Sequence, residues 1–109
     1  MNKEQEIVLL KELREKLDRK DMFTALDLSN DVKLGGTWIS HPNVSGFMKN
    51  LRDNSVLDSY DYIYRLIEVE GELKTYLYYP LDCDYREYSN KSQTAISFVD
   101  FNFKGIEQL

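Results

Sequence analysis

The sequence has few of the residues on which disulfides, metal centres and catalytic triads depend. It contains one cysteine, Cys83, and one histidine, His41, in 109 residues. A lone cysteine cannot form an internal disulfide or build a cysteine zinc site, and a lone histidine excludes centres that need two. We therefore expect no metal, no cofactor and a structural role for the thiol.

Long apolar runs and an excess of positive charge are also missing. Runs such as Ile7 to Leu10 are far shorter than the ~20 residues of a membrane span, and the polar first residues lack the apolar core of a secretory signal. These features predict a cytoplasmic protein with no membrane partner. The formal net charge of −5 has the wrong sign for general attraction to a polyanion. Any nucleic-acid role must therefore come from a local basic patch.

Sequence patterns that would support catalysis are absent as well. A general base near neutral pH would have to be His41 or a perturbed carboxylate, and no nucleophile lies at a motif spacing from either. Gly35-Gly36 lacks the lysine of a phosphate-binding loop, and Asp82-Cys83-Asp84 lacks the glycine of a calcium loop. We therefore expect that the protein is not an enzyme.

The sequence does contain enough apolar side chains for one core. With 42% hydrophobic and 13% aromatic residues in a chain of 109, the composition is typical of a single globular domain. We predict one domain over residues 1–109. Its core lies within about residues 5–80, and residues 81–109 form a C-terminal extension.

Helical periodicity dominates the first half of the chain. Residues 3–19 have apolar side chains at steps of three and four, which predicts an amphipathic helix. Thr24, with Asp27 three residues later, predicts a capping box before a second helix over about 25–33. The predicted apolar stripe of the first helix consists of Ile7, Leu10, Leu13 and Leu17.

A third helix is predicted over about 41–53. It begins after Ser40, a capping hydroxyl, and Pro42 is tolerated in its first turn. Its apolar stripe is Val44, Phe47, Met48 and Leu51. The core predicted from the helices consists of Leu10, Leu13, Leu28, Val32, Val44, Phe47 and Leu51.

The second half of the chain has the alternating pattern of strands. Apolar and polar residues alternate with period two, which predicts a β-hairpin over about 60–79. A turn centred on Glu70-Gly71 would place Ile67 opposite Lys74, although a longer loop would change this register. Residues 95–103 also alternate and are predicted as a strand, with a helical stripe as the alternative.

This order of helices and hairpin resembles that of a winged helix-turn-helix domain. The resemblance is carried by Phe23–Ser29, Val44–Leu51 and Ser55–Leu57, and it covers about residues 5–80. It implies an α+β fold in which three N-terminal helices are followed by a β-hairpin wing and a short C-terminal extension. In that family the third helix enters the DNA major groove, and the wing reaches the DNA backbone or the minor groove.

Two features depart from the family pattern. The connection Lys33–Ser40 is longer than a tight helix-turn-helix turn, and residues 81–109 lie outside the common core. The long connection contains Trp38, which we predict to cover a small core, with a partner contact as the alternative.

The charge pattern favours DNA as the partner. From Val32 to Arg52 the chain has no acidic residue, whereas lysine, arginine and a titratable histidine are present. Basic side chains can neutralise phosphates, and serine and asparagine can read base edges. We predict a transcriptional regulator that binds double-stranded DNA with helix 41–53, as a homodimer because one helix contacts few bases. The predicted DNA-binding residues are Thr37, Ser40, His41, Asn43, Ser45, Gly46, Lys49, Asn50 and Arg52.

The tyrosines support an alternative function. All eight lie between residues 60 and 88, and tyrosine is enriched at protein interfaces. Glutamates at the predicted wing tip would repel phosphate. The alternative is therefore a winged-helix scaffold that binds another protein through its tyrosine-rich hairpin and acidic surface, as an inhibitor or adaptor of phage or mobile-element origin. The predicted partner-binding residues are Tyr60, Tyr62, Tyr76 and Tyr78.

Overall fold

Three helices form the amino-terminal half of the fold. They are α1 (Lys3–Arg19), α2 (Ala25–Leu34) and α3 (His41–Asp53) in the computed structural model, which describes residues 1–69, 74–89 and 96–97. All three predicted helices are confirmed, with bounds that agree to within one residue. The agreement is close because each helix begins at a residue whose local chemistry marks the start.

The helix starts are fixed by side-chain caps. Asn2 and Gln5 bond reciprocally at the start of α1, and Thr24 and Asp27 form the predicted capping box of α2. The Ser40 hydroxyl accepts a hydrogen bond from the backbone N–H of Asn43 at 3.4 Å. Each cap satisfies an N–H group that has no partner inside its helix, which stabilises the start by about 1 kcal/mol.

An antiparallel sheet completes the α+β fold. Its strands are β1 (Phe23–Thr24), β2 (Tyr62–Val69), β3 (Thr75–Pro80) and β4 (Ile96–Ser97), in the spatial order β1-β3-β2-β4. The hairpin prediction is confirmed. The two residues of β1 were not predicted, because so short a strand has no periodicity. Of the predicted strand over 95–103, only β4 belongs to the described residues.

The hairpin register differs by one residue from that of a two-residue turn, in agreement with the alternative of a longer loop. Ile67 lies opposite Thr75 and not opposite Lys74, so the connection is longer than a two-residue turn. The predicted turn at Glu70-Gly71 lies outside the described residues. The observed register places Tyr64 opposite Tyr78, so that tyrosines of both strands share the face that packs on the helices. Burial of that face decides the register.

Both faces of the hairpin are covered. Tyr62 and Tyr78 point into the helical core, whereas Ile67 and Leu77 belong to a second buried cluster on the opposite face. Tyr88 completes this second cluster, and its hydroxyl donates a hydrogen bond to the Asp27 carboxylate near the start of α2. Part of the predicted C-terminal extension therefore belongs to the packed fold.

The face of α1 that meets the core differs from the predicted one. Leu9 is completely buried, whereas Leu10 is 44% exposed and Ile7 is 61% exposed. The sequence pattern treats Lys16 as a solvent-facing residue, but Lys16 is buried on the same side of α1 as Leu9. Its ammonium is compensated there by the Asp31 carboxylate of α2. Leu13 and Leu17 are shared by the predicted and the observed stripe, and both are buried.

The rest of the predicted helical core is largely confirmed. Leu28, Val32 and Val44 are buried, while Phe47 and Leu51 are half-buried and pack against the same cluster. The deepest contacts of α3 with the core come from Val44 and Met48. The side of α3 opposite Val44 and Met48 carries the exposed residues Asn43, Gly46, Lys49 and Asn50.

Adjacent leucines of α1 test this assignment. Leu9→Ala should lower the free energy of unfolding by about 2–5 kcal/mol, because it leaves a cavity in the core. Leu10→Ala is the matched control and should cost about 1 kcal/mol or less, because the side chain is already partly in water. Urea unfolding measures both values. A larger loss for Leu10→Ala would contradict the observed orientation of α1.

Candidate nucleic-acid interface

The outward side of α3 carries most of the predicted DNA-binding residues of that helix. Asn43, Gly46, Lys49 and Asn50 are exposed and recur at steps of three or four, which places them on one face. Ser45 is half-buried beside this face. We call Asn43, Gly46, Lys49 and Asn50 the outer face of α3. It holds no carboxylate, and the first acidic residue of the helix is Asp53, its last residue.

Lys49 is paired at the end of the helix. Its ammonium donates to the Asp53 carboxylate at 2.7 Å, and both side chains are more than half exposed. This hydrogen bond lowers the pKa of the Asp53 carboxyl below its ordinary value. An exposed pair of this kind contributes little to stability, so Lys49 can exchange Asp53 for another anion at small cost.

Arg52 is half-buried and is held against the hairpin. Its guanidinium donates a hydrogen bond to the Tyr78 hydroxyl and lies 4.2 Å from the centre of the Tyr76 ring. A second ring, Tyr64, lies 5.7 Å away. The cation is therefore fixed in orientation at the junction between α3 and β3.

Gly46 has no packing reason to be a glycine. A Cβ atom added there would meet no atom within 4 Å, leaving aside the neighbouring residues and the backbone of its own helix. Glycine in the interior of a helix costs about 1 kcal/mol relative to alanine. The fold therefore carries a small cost at the centre of the outer face with no compensating contact among the described residues.

The predicted DNA-binding residues Thr37, Ser40 and His41 lie in the loop before α3 and at its first residue. The Ser40 hydroxyl caps the helix, and the backbone N–H of Thr37 donates to the Val32 carbonyl at 3.0 Å. His41 is half-buried, and its Nε2 atom is buried with no hydrogen-bond partner among the described residues. Neither the cap nor the partial burial of His41 tests DNA binding, so the assignment of Thr37, Ser40 and His41 as DNA-binding residues stays a prediction.

The predicted partner-binding tyrosines are mostly used inside the protein. Tyr62 and Tyr78 are each 1% exposed, so neither ring can enter a partner's pocket, and this prediction is wrong for both. The Tyr62 hydroxyl donates to the Asp21 carbonyl at 2.6 Å, and burial raises the pKa of this hydroxyl. Tyr76 is half-buried and supports Arg52. Tyr60, also half-buried, stays a prediction.

Trp38, predicted to cover a small core with a partner contact as the alternative, is a surface residue. Its side chain is 66% exposed, whereas the neighbouring Ile39 is buried. The Trp38 backbone carbonyl accepts a hydrogen bond from the Gln5 side chain at 3.2 Å, which ties the loop to α1. The prediction that Trp38 covers the core is therefore wrong. The sequence feature that could have indicated its exposure is its position shortly after Gly35-Gly36 in an unusually long connection.

A groove separates α3 from β3 beside the outer face. It has a volume of about 290 Å³, and its described lining residues include no carboxylate. Basic side chains approach it from both walls. The residues of the helix wall are Ser45, Gly46, Lys49 and Arg52, and those of the strand wall are Lys74, Thr75, Tyr76 and Tyr78, with Ala25 at the start of α2.

The remaining basic residue of the hairpin is not at the surface. Arg65 is buried, and its guanidinium lies 3.6 Å from the centre of the Tyr85 ring on the opposite face of the sheet. Lys74 is therefore the hairpin cation that lies on the groove side. Lys74 lies in the hairpin predicted from the sequence, but its position beside α3 depends on how the hairpin packs on the helices.

Comparisons with protein-family models, curated proteins and solved structures gave no match. Over the described ranges, no helix has both the length and the apolar character needed to cross a membrane. Within the same part of the chain, no three side chains with metal-ligating chemistry come together. The function must therefore be argued from the interface itself.

The Tyr78 hydroxyl gives a pH test of the junction between α3 and β3. Burial raises its pKa to about 12, against the opposing effect of Arg52. The unfolded phenol ionises near pH 10. The native state therefore retains the proton more tightly, so the contribution of the neutral phenol to stability is complete below about pH 10 and is lost as the pH rises through about 12.

Replacing this hydroxyl should flatten the alkaline pH dependence. Between about pH 10 and 12, wild-type protein should lose about 2–3 kcal/mol more of its free energy of unfolding than Tyr78→Phe does. Urea unfolding at several alkaline pH values provides the measurement. Parallel curves for the two proteins would show that the Tyr78 pKa does not differ between folded and unfolded states.

Proposed function

We propose that this protein is a winged helix-turn-helix domain that binds double-stranded DNA with α3 as its recognition helix. The order of three helices and a hairpin, with β1 paired to β3, is compatible with that layout. A recognition helix presents polar side chains to base edges, and basic side chains at its borders contact phosphates. The outer face of α3 has this composition.

The observation that carries the proposal is the outer face itself. It is exposed, free of carboxylates up to the end of the helix, and centred on Gly46, where no neighbour fills the space above the backbone. Asn43 and Asn50 offer donors and acceptors on either side of the glycine, and Lys49 adds a positive charge. The absence of a side chain at Gly46 lets a base edge or sugar approach the helix closely.

The proposed biological role is that of a small cytoplasmic transcriptional regulator. One recognition helix contacts only a few base pairs, so a homodimer on two half-sites would supply the specificity that such a role needs. The net charge of −5 limits non-specific binding to DNA, because most of the surface repels phosphate. Binding would then depend on the local basic patch.

A protein-binding function is the second candidate, and the exposure of Trp38 favours it. Large aromatic side chains at the surface commonly anchor protein interfaces. Leu34, at the end of α2, is also largely exposed. This surface would replace the buried tyrosines as the contact of an inhibitor or adaptor. Trp38→Ala should then weaken capture of a protein partner and leave DNA binding unchanged.

A lysine-to-glutamine pair tests DNA binding by α3. Lys49→Gln should weaken binding to all duplex sequences alike and reduce the slope of log affinity against log salt by about one, because one fewer counterion is released. Lys11→Gln removes the same charge from the exposed side of α1 and serves as the matched control. Titration of labelled duplexes at about 50 and 200 mM salt measures both quantities.

The controls decide between the two candidates. Equal effects of Lys49→Gln and Lys11→Gln would mean that only overall charge matters and would contradict a specific role for α3. No binding of any duplex at the lower salt concentration, together with capture of a protein that Trp38→Ala abolishes, would replace the DNA-binding proposal with the second candidate.

Gly46→Ala separates stability from binding. The substitution should raise the free energy of unfolding by about 1 kcal/mol, because alanine is the better helix former and space is available for its methyl group. It should nevertheless weaken duplex binding, because the methyl group holds the DNA away from the backbone. Urea unfolding and duplex titration of one preparation measure both effects. A stabilised variant with undiminished affinity would remove Gly46 from the interface.

A further inference from the structure

The groove between α3 and β3 combines cations from two elements around an open space. Arg52 and Lys49 approach it from the helix, and Lys74 approaches it from the strand. We propose that this groove binds one phosphodiester group and that Arg52 is its principal ligand. The proposal deepens the proposed function and rests on it for the source of the phosphodiester, which would be the DNA backbone.

Arg52 is suited to this role because its orientation is already fixed. The Tyr76 ring supports one face of the guanidinium at 4.2 Å, and the Tyr78 hydroxyl accepts one N–H hydrogen bond. Stacking blocks a face of the group but not its edge, where the N–H donors lie. In the described part of the chain, the other N–H groups of Arg52 have no acceptor. A phosphate can therefore bind without first ordering this side chain.

Tyr76 and Tyr78 act as positioning residues in this arrangement. Tyr78 is anchored in the core, where its ring stacks on Phe23 with a centroid distance of 5.3 Å. Tyr76 meets Tyr64 edge-on at 5.5 Å, and both rings face Arg52. The orientation of the guanidinium is thus set by the packing of the sheet, and little side-chain entropy is lost on binding.

The charges of the groove favour a phosphate over other anions. The two charged oxygens of a phosphodiester lie on a tetrahedral phosphorus that carries two further ester oxygens, so cations can approach from opposite walls, whereas the two oxygens of a carboxylate lie in one plane with its carbon. Lys49 can leave its exposed partner Asp53 at small cost and turn towards the groove. The described lining residues of the groove include lysine and arginine but no carboxylate.

Phosphate binding can be measured without DNA. Inorganic phosphate is titrated into labelled protein at constant ionic strength, and NMR follows the Arg52 Nε–H and Gly46 amide signals. Both signals should shift in a saturable manner, and acetate should shift them less. Arg52→Gln should abolish the Gly46 shift, whereas Arg14→Gln, which removes an exposed arginine of α1, should leave it intact. No saturable shift, or equal shifts in the two variants, would overturn the proposal.

Duplex DNA tests the phosphodiester at the site itself. Single phosphates of a bound duplex are replaced in turn by neutral methylphosphonates. At one position per half-site the replacement should weaken wild-type binding by about tenfold, and it should have no further effect on Arg52→Gln. Tyr76→Phe should bind like wild type because it keeps the ring, and Tyr76→Leu should lose affinity. Thermal unfolding of each variant confirms that it is folded before its affinity is compared.

A negative result for the groove can be distinguished from a negative result for the proposed function. Duplex binding with an unchanged affinity and salt slope in both Arg52→Gln and Arg52→Lys would overturn the groove proposal and leave the proposed function standing. Saturable phosphate shifts in the groove without binding of any duplex would support the groove and contradict the proposed function. Arg52→Lys distinguishes the fork geometry from charge alone, since it retains the charge but should still lose most of the affinity gained at the sensitive phosphate.

Discussion

The register between β2 and β3 is the constraint on which the rest of the structure depends. Pairing Tyr64 with Tyr78 directs the aromatic residues of both strands towards the helices and directs Ile67 and Leu77 to the other side. A slip of one strand by a single residue would exchange its two faces. The Tyr78 ring would then leave the core, and α3 would lose the surface on which Arg52 rests.

The candidate interface is therefore built from two elements and not from one helix. Helix α3 supplies the polar outer face, while the hairpin fixes the direction of Arg52 and brings Lys74 to the opposite wall of the groove. The aromatic side chains connect these parts, because they belong to the core at one end and contact the guanidinium at the other. The same aromatic side chains therefore pack the core and hold the Arg52 guanidinium in place.

Local signals made the helices predictable, and the absence of tertiary information limited the rest. Thr24 and Ser40 mark helix starts through hydrogen bonds to residues three positions away, so the sequence alone contains that information. The buried side of α1 includes Lys16, whose charged partner Asp31 lies on a different helix, so local periodicity does not indicate this burial. The roles of the tyrosines and the exposure of Trp38 depend on how the hairpin and the loop before α3 pack in the fold. The periodicity of the sequence does not predict this packing. The residues of the outer face of α3 could be predicted because they lie close together in the sequence. The groove could not be predicted, because its two walls come from α3 and from the hairpin and their approach depends on the hairpin register.

The hydrogen bond from Tyr88 to Asp27 has a consequence for biosynthesis. It joins residues 61 positions apart and brings Tyr88 onto the outer face of the hairpin. A ribosome that has released only the helices and the hairpin therefore presents a nascent chain whose Ile67 and Leu77 side chains still lack this cover. Such a chain exposes apolar strand surface until translation has proceeded past Tyr88, and exposed apolar surface of this kind favours aggregation of incompletely folded chains.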